Sequence, residues 1–73
     1  MSFDEQAETI ITTASAAMNR VREEMRIRSK YVHSVTHAKE ILAETEYRLT
    51  AIIKVASDKI DRLALDEKRK EWS

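Results

Sequence analysis

Ser29-Lys30-Tyr31-Val32-His33-Ser34-Val35-Thr36-His37 is the weakest helix-forming run in a chain otherwise made of helix formers, and whether it turns or stays helical decides the fold. It is dense in β-branched and hydroxyl side chains, which lose rotamer freedom in a helix or compete for its backbone hydrogen bonds. Ser34 or Thr36 can cap a new helix there. With a turn near 29–37, the chain is two long helices, about 3–30 and about 37–70, folded as an antiparallel hairpin. Without one it is a single continuous coiled-coil helix, on the order of 100 Å long at 1.5 Å per residue.

Everything outside that run favours helix. The chain has 73 residues and contains no Gly, no Pro and no Cys. A β-protein of this size needs a turn every ten residues or so, and glycine and proline are the residues that make such turns. Phosphate-cradling loops of the Walker or dinucleotide type require glycine, so nucleotide enzymes of those classes are excluded. Disulfide frameworks and thiolate metal sites are excluded with cysteine. Ser2-Phe3-Asp4-Glu5 has the S-x-x-E form of a capping box, with Asp4, Glu5 and Glu8 near the positive end of the helix dipole. Lys68, Arg69 and Lys70 suit the negative end of a second helix. The chain reads as one all-α domain over 1–73.

Apolar residues recur by sevens. Ala7, Ala14, Val21, Val35, Leu42, Leu49, Ala56 and Leu63 form one series, broken only by Arg28. Ile11, Met18, Met25, Val32, Ile53 and Ile60 flank it on one side, interrupted by Lys39 and Glu46, and Phe3, Ile10, Ala17, Tyr31, Ala38 and Ile52 on the other, interrupted by Glu24, Thr45 and Lys59. Three adjacent heptad positions make a stripe wider than the seam of a plain two-stranded coiled coil, which predicts a helical bundle. The phase continues through the weak run, which favours one helix. A hairpin buries both stripes within one chain, and it is the preferred reading. Either form is elongated and buries less than a compact chain of this length, so self-association or a partner is expected.

Thr9 to Asn19 contains no charge in eleven positions, which predicts either an ordinary core segment or an interface. The interface expected from the stripe comprises Ile10, Ile11, Ala14, Ala17, Met18, Val21 and Met25 on the first helix. On the second it comprises Leu42, Leu49, Ile52, Ile53, Ile60 and Leu63. Trp72 is added as a possible anchor near the end, the alternative being an idle terminal side chain.

A basic cluster follows: Arg20, Arg22, Arg26, Arg28 and Lys30, against Glu23 and Glu24. These residues are candidates for contact with nucleic-acid phosphates or an acidic partner, and Arg28 is also placed to pair with an acid on a neighbouring helix. Thirteen bases balance thirteen acids, which argues against general polyanion binding. His33 and His37, with Glu40 a turn on, are weak candidates for a metal, but a hydrolytic H-E-x-x-H would need glutamate where Ser34 stands. No metal, cofactor or small-molecule substrate is expected, and no catalysis. There is no run of eighteen apolar residues and no secretory leader, so the expectation is a soluble cytoplasmic chain without a membrane partner. The function expected is a non-catalytic helical protein–protein interaction module: an oligomeric scaffold, adaptor, or small inhibitor or co-chaperone, partnered by itself or another protein. The alternative is a small nucleic-acid-associated regulator using the Arg20–Lys30 cluster.

Overall fold

The computed structural model describes Ser2 through Trp72, with side chains described as far as Arg69. Two helices, α1 (Phe3–Ser29) and α2 (Val35–Trp72), pack against each other as an antiparallel hairpin. The single continuous helix is thereby ruled out, and the link falls at Lys30–Ser34, inside the weak run.

The two helix starts use the same local device. At α1 the Glu5 amide donates to Ser2 Oγ at 3.3 Å, and the Gln6 amide donates to the Ser2 carbonyl at 3.1 Å. At α2 the His37 amide donates to Ser34 Oγ at 3.0 Å, and the Ala38 amide to the Ser34 carbonyl, also at 3.0 Å. Each serine satisfies a first-turn donor that the helix cannot satisfy itself. Of the two hydroxyls available for the second start, Ser34 takes the role.

How a chain without glycine reverses direction is answered by the backbone. The amides of Lys30, Tyr31 and Val32 donate to carbonyls three residues back, which tightens the end of α1, and Lys30 keeps right-handed helical angles (φ −70°, ψ −17°). No described residue adopts positive φ. The turn therefore never enters the left-handed region that glycine serves.

The buried stripe departs from the count by sevens. Through the half-buried and buried positions of α1, steps of three and four run Phe3, Ala7, Ile10, Ala14, Met18, Val21, Met25, with Gln6 and Ala17 beside them; on α2 they run Ile41, Thr45, Arg48, Ile52, Ala56, Ile60, Leu63, with His37, Ala38 and Leu49 beside them. Each run covers 22 residues in six steps, which is the 3.67-residue spacing of an 11-residue repeat. A straight helix drifts by about 20° per heptad relative to a strict seven, so the inward face migrates across the three apolar positions. At the start of α2 it lies one residue earlier than the heptad places it. Ile41 is 3% exposed there, whereas Leu42 is 60% exposed. The phase continuity that favoured one helix is thus a coincidence of composition, because α2 begins on a different face.

Very little is enclosed. Val21 and Ile41 are the buried apolar residues among those described, with Thr45 beside them donating its hydroxyl to the Ile41 carbonyl at 2.7 Å. The hairpin is a rod of 60 × 17 × 8 Å between Cα extremes, with a radius of gyration of 17.2 Å, against about 11 Å for a compact chain of this length. Its accessible surface is 6105 Å², roughly 1,400 Å² more than the scaling for a compact monomer of this mass.

Candidate interaction surface

Cross-helix contacts fix which residues lie at the same height. Near the turn, Arg28 donates to Glu44 at 2.9 Å, and Arg48 pairs with Glu24. Farther along, Thr9, Thr13 and Ala17 of α1 and Ala51, Val55 and Lys59 of α2 line one shallow groove between the helices, together with Ile10, Ala14, Ile52 and Ala56. The uncharged stretch Thr9–Asn19 therefore lies beside Leu49–Ser57, nine residues of which Lys54 alone is charged. The two stretches form an almost uncharged belt around the middle of the rod. The belt was half legible in the sequence: the α1 stretch is conspicuous by itself, and Lys54 hides its counterpart until the hairpin aligns them.

The belt is not a closed core. Thr9, Ile11, Thr12, Thr13, Ser15 and Ala16 are exposed on α1, as are Thr50, Ala51, Ile53 and Val55 on α2. Of the residues expected at an interface, Val21 is buried inside the hairpin, and Ile10, Ala14, Ala17, Met18, Met25, Leu49, Ile52, Ile60 and Leu63 are half-buried between the helices. Ile11 at 57%, Leu42 at 60% and Ile53 at 55% remain open. The side chain of Trp72 lies outside the described residues. Ile41, the most enclosed apolar residue, was missed because the heptad count assigned its neighbour.

The two flanks of the hairpin differ. One carries the groove above and, nearer the turn, the ion pairs of Glu24, Arg28, Glu44 and Arg48. On the other, Met25, Val32, Ala38, Ile41 and Leu42 line a second groove beside Arg22, Arg26 and Ser29. Met18 and Ile11 lie seven and fourteen residues before Met25 and continue this second flank along α1, and Leu49 and Ile53 lie seven and eleven residues after Leu42 and continue it along α2.

The basic cluster is largely engaged with its own chain. Arg26 makes two hydrogen bonds to the Glu23 carboxylate, Arg22 donates to Asn19 at 3.3 Å, and Arg28 reaches Glu44. Hydrogen bonding by Arg48, then its charge, holds the Glu24 carboxyl below the ordinary carboxylate value. Arg26 does the same to Glu23. Both guanidinium groups are correspondingly pushed up by their acids.

His33 and His37 come together in a way the sequence did not predict. His33 lies in the link and His37 in the first turn of α2, and their rings stack with centroids 4.3 Å apart and planes 16° from parallel. Face-to-face stacking is not the arrangement in which two imidazoles share a metal. Among the described residues no three of His, Cys, Asp or Glu gather as a metal site, so Glu40 does not complete one. Nor is any described helix long and apolar enough to cross a membrane.

No protein-family model matches the chain, and no curated protein or solved structure matches it.

Proposed function

We propose that this chain is a non-catalytic helical interaction module, a scaffold or adaptor in the cytoplasm, whose uncharged belt is covered in use by another protein surface. One observation carries the reading. A hairpin that buries only Val21 and Ile41 among its described apolar residues, while leaving Ile11, Leu42 and Ile53 more than half exposed, is a rod with its apolar surface on the outside. Apolar surface of that kind marks an interaction site more often than an idle one, and a helix pair without a closed core is marginal alone. Association contributes the missing burial. Freedom from cysteine agrees with a reducing compartment. Nucleic-acid binding has less support, because Arg26 and Arg28 are each neutralised by an acid of the same chain.

The test is the unfolding of the purified chain in dilute solution. The expected result is a broad transition with binding of an apolar dye, as loosely packed helical states give, sharpening when the belt is covered. A sharp, concentration-independent transition of a monomer that binds no dye would end the reading.

A further inference from the structure

The flank bearing Ile11, Met18, Met25, Leu42, Leu49 and Ile53 leaves three of these residues, Ile11, Leu42 and Ile53, more than half exposed. Resting on the reading above, we propose that its occupant is a second copy of this chain, laid antiparallel to the first to complete a four-helix bundle.

Area is the first reason. Each chain exposes 6105 Å², and if each copy lost its excess of roughly 1,400 Å² over a compact monomer, the interface would total about 2,800 Å². That falls within the range of obligate homodimers, about 2,000–5,000 Å².

Charge sets the orientation. Residues 20–48, the turn half of the rod, hold seven bases against five acids, and the remainder holds six bases against eight acids. Two parallel copies would set like ends together, whereas two antiparallel copies set the basic half of each along the acidic half of the other.

Register follows from symmetry. A two-fold axis across the flank stacks α1 on α1 and α2 on α2, each pair antiparallel. Ser15 and Ile53 both lie at the level of the neighbouring groove, which Thr13, Ala17, Ala51 and Val55 line together. With the axis through that height, Ser15 meets Ser15 of the second copy, and Ile53 meets Ile53 of the second copy. Ile11, four residues before Ser15, then lies within one residue of the level of Met18 of the second copy. Glu8 and Arg22 are each seven residues from Ser15, on opposite sides, so Glu8 faces Arg22 of the second copy, twice per dimer. In the parallel arrangement α1 would lie on α2 of the second copy, and Glu8 would not meet Arg22. The belt sits near the middle of the rod, so antiparallel stacking lays belt on belt.

The chain has no cysteine, so a single Val35→Cys variant carries one nitroxide label per chain, at the turn end. The solution mass should be twice 8.5 kDa, and pulsed electron resonance should place the two labels about 55 Å apart, from 1.5 Å per residue on each side of the axis. Glu8→Arg alone and Arg22→Glu alone should each weaken the dimer by roughly tenfold, and the double exchange should restore most of the affinity. All four side chains in the two reciprocal pairs are at exposed positions, so these exchanges test the contact without removing a core residue. A dimer with labels within about 20 Å is parallel and overturns this proposal while leaving the interaction-module reading intact. A dye-binding, marginal monomer, or an assembly larger than two, overturns it in the same way. A stable monomer that binds no dye overturns both.

Discussion

Arg28 donates to the Glu44 carboxylate across the hairpin at 2.9 Å, and the exchange is repeated one turn farther from the link, where Arg48 pairs with Glu24. The two helices carry the same short pattern, Glu24-x-x-x-Arg28 and Glu44-x-x-x-Arg48. Run antiparallel, each glutamate meets the other helix's arginine. The four charges thus specify one register of α1 against α2, because a slip of one turn would set like charges opposite each other. Their side chains are 42–53% exposed, so the contribution is one of alignment more than of bulk stability.

Reversal of a single charge in this quartet should therefore lower the thermal midpoint by a few degrees. Glu24→Arg and Arg48→Glu are each expected to do so, and the exchange of both to recover most of the loss. The differences should shrink in 1 M salt, where the screening length is about 3 Å. A double-mutant cycle followed by circular dichroism measures the coupling, and a cycle that closes with none would remove the quartet as a register device.

Acid should loosen the same contact. Glu24 and Glu23 titrate below their ordinary value of 4.5 in the folded chain, because Arg48 and Arg26 favour the ionised form. A carboxyl with a depressed folded pKa contributes stability above its unfolded pKa and loses it as pH falls through the folded one. Helicity should hold from pH 7 to about 4.5 and decline below. In Glu24→Gln the starting stability is lower and the acid-dependent loss smaller. An unchanged acid limb in that variant would place the sensitivity elsewhere.

Ser34 carries the second helix start, and its hydroxyl accepts the His37 amide at 3.0 Å. Ser34→Ala should cost about 1 kcal/mol, and Ser34→Asp should retain the cap. Denaturant titration of the three proteins reads this directly. An alanine variant as stable as the parent would mean that the helix starts without its cap.

Local devices such as these were legible in the sequence, since a cap depends on residues three apart and not on the rest of the fold. The turn was legible for a related reason: Tyr31-Val32-His33-Ser34 resists helix wherever it is placed. The inward face of α2 was not. A count by sevens presumes a supercoil, whereas a straight pair lets the stripe drift, and only packing against α1 reveals how far. The Glu24–Arg48 pairing was hidden likewise, because both E-x-x-x-R runs are visible but their alignment depends on where the chain turns. The stacked His33 and His37 rings required knowing that one lies in the link and the other on the helix.

Ile41 and Leu42 are adjacent in sequence and opposite in role, and substituting each tests the drift itself. Ile41 is 3% exposed against α1, so Ile41→Ala should lower the unfolding free energy by about 2–4 kcal/mol at every protein concentration. In a hairpin with so little enclosed, that loss is enough to leave the isolated chain mostly unfolded. Leu42 is 60% exposed and contributes little within one chain, so Leu42→Ala should have an effect that depends on concentration and fades on dilution. Unfolding curves recorded over a hundredfold range of concentration separate the two. Equal, concentration-independent losses at both positions would restore the strict seven-residue stripe and the supercoil that goes with it.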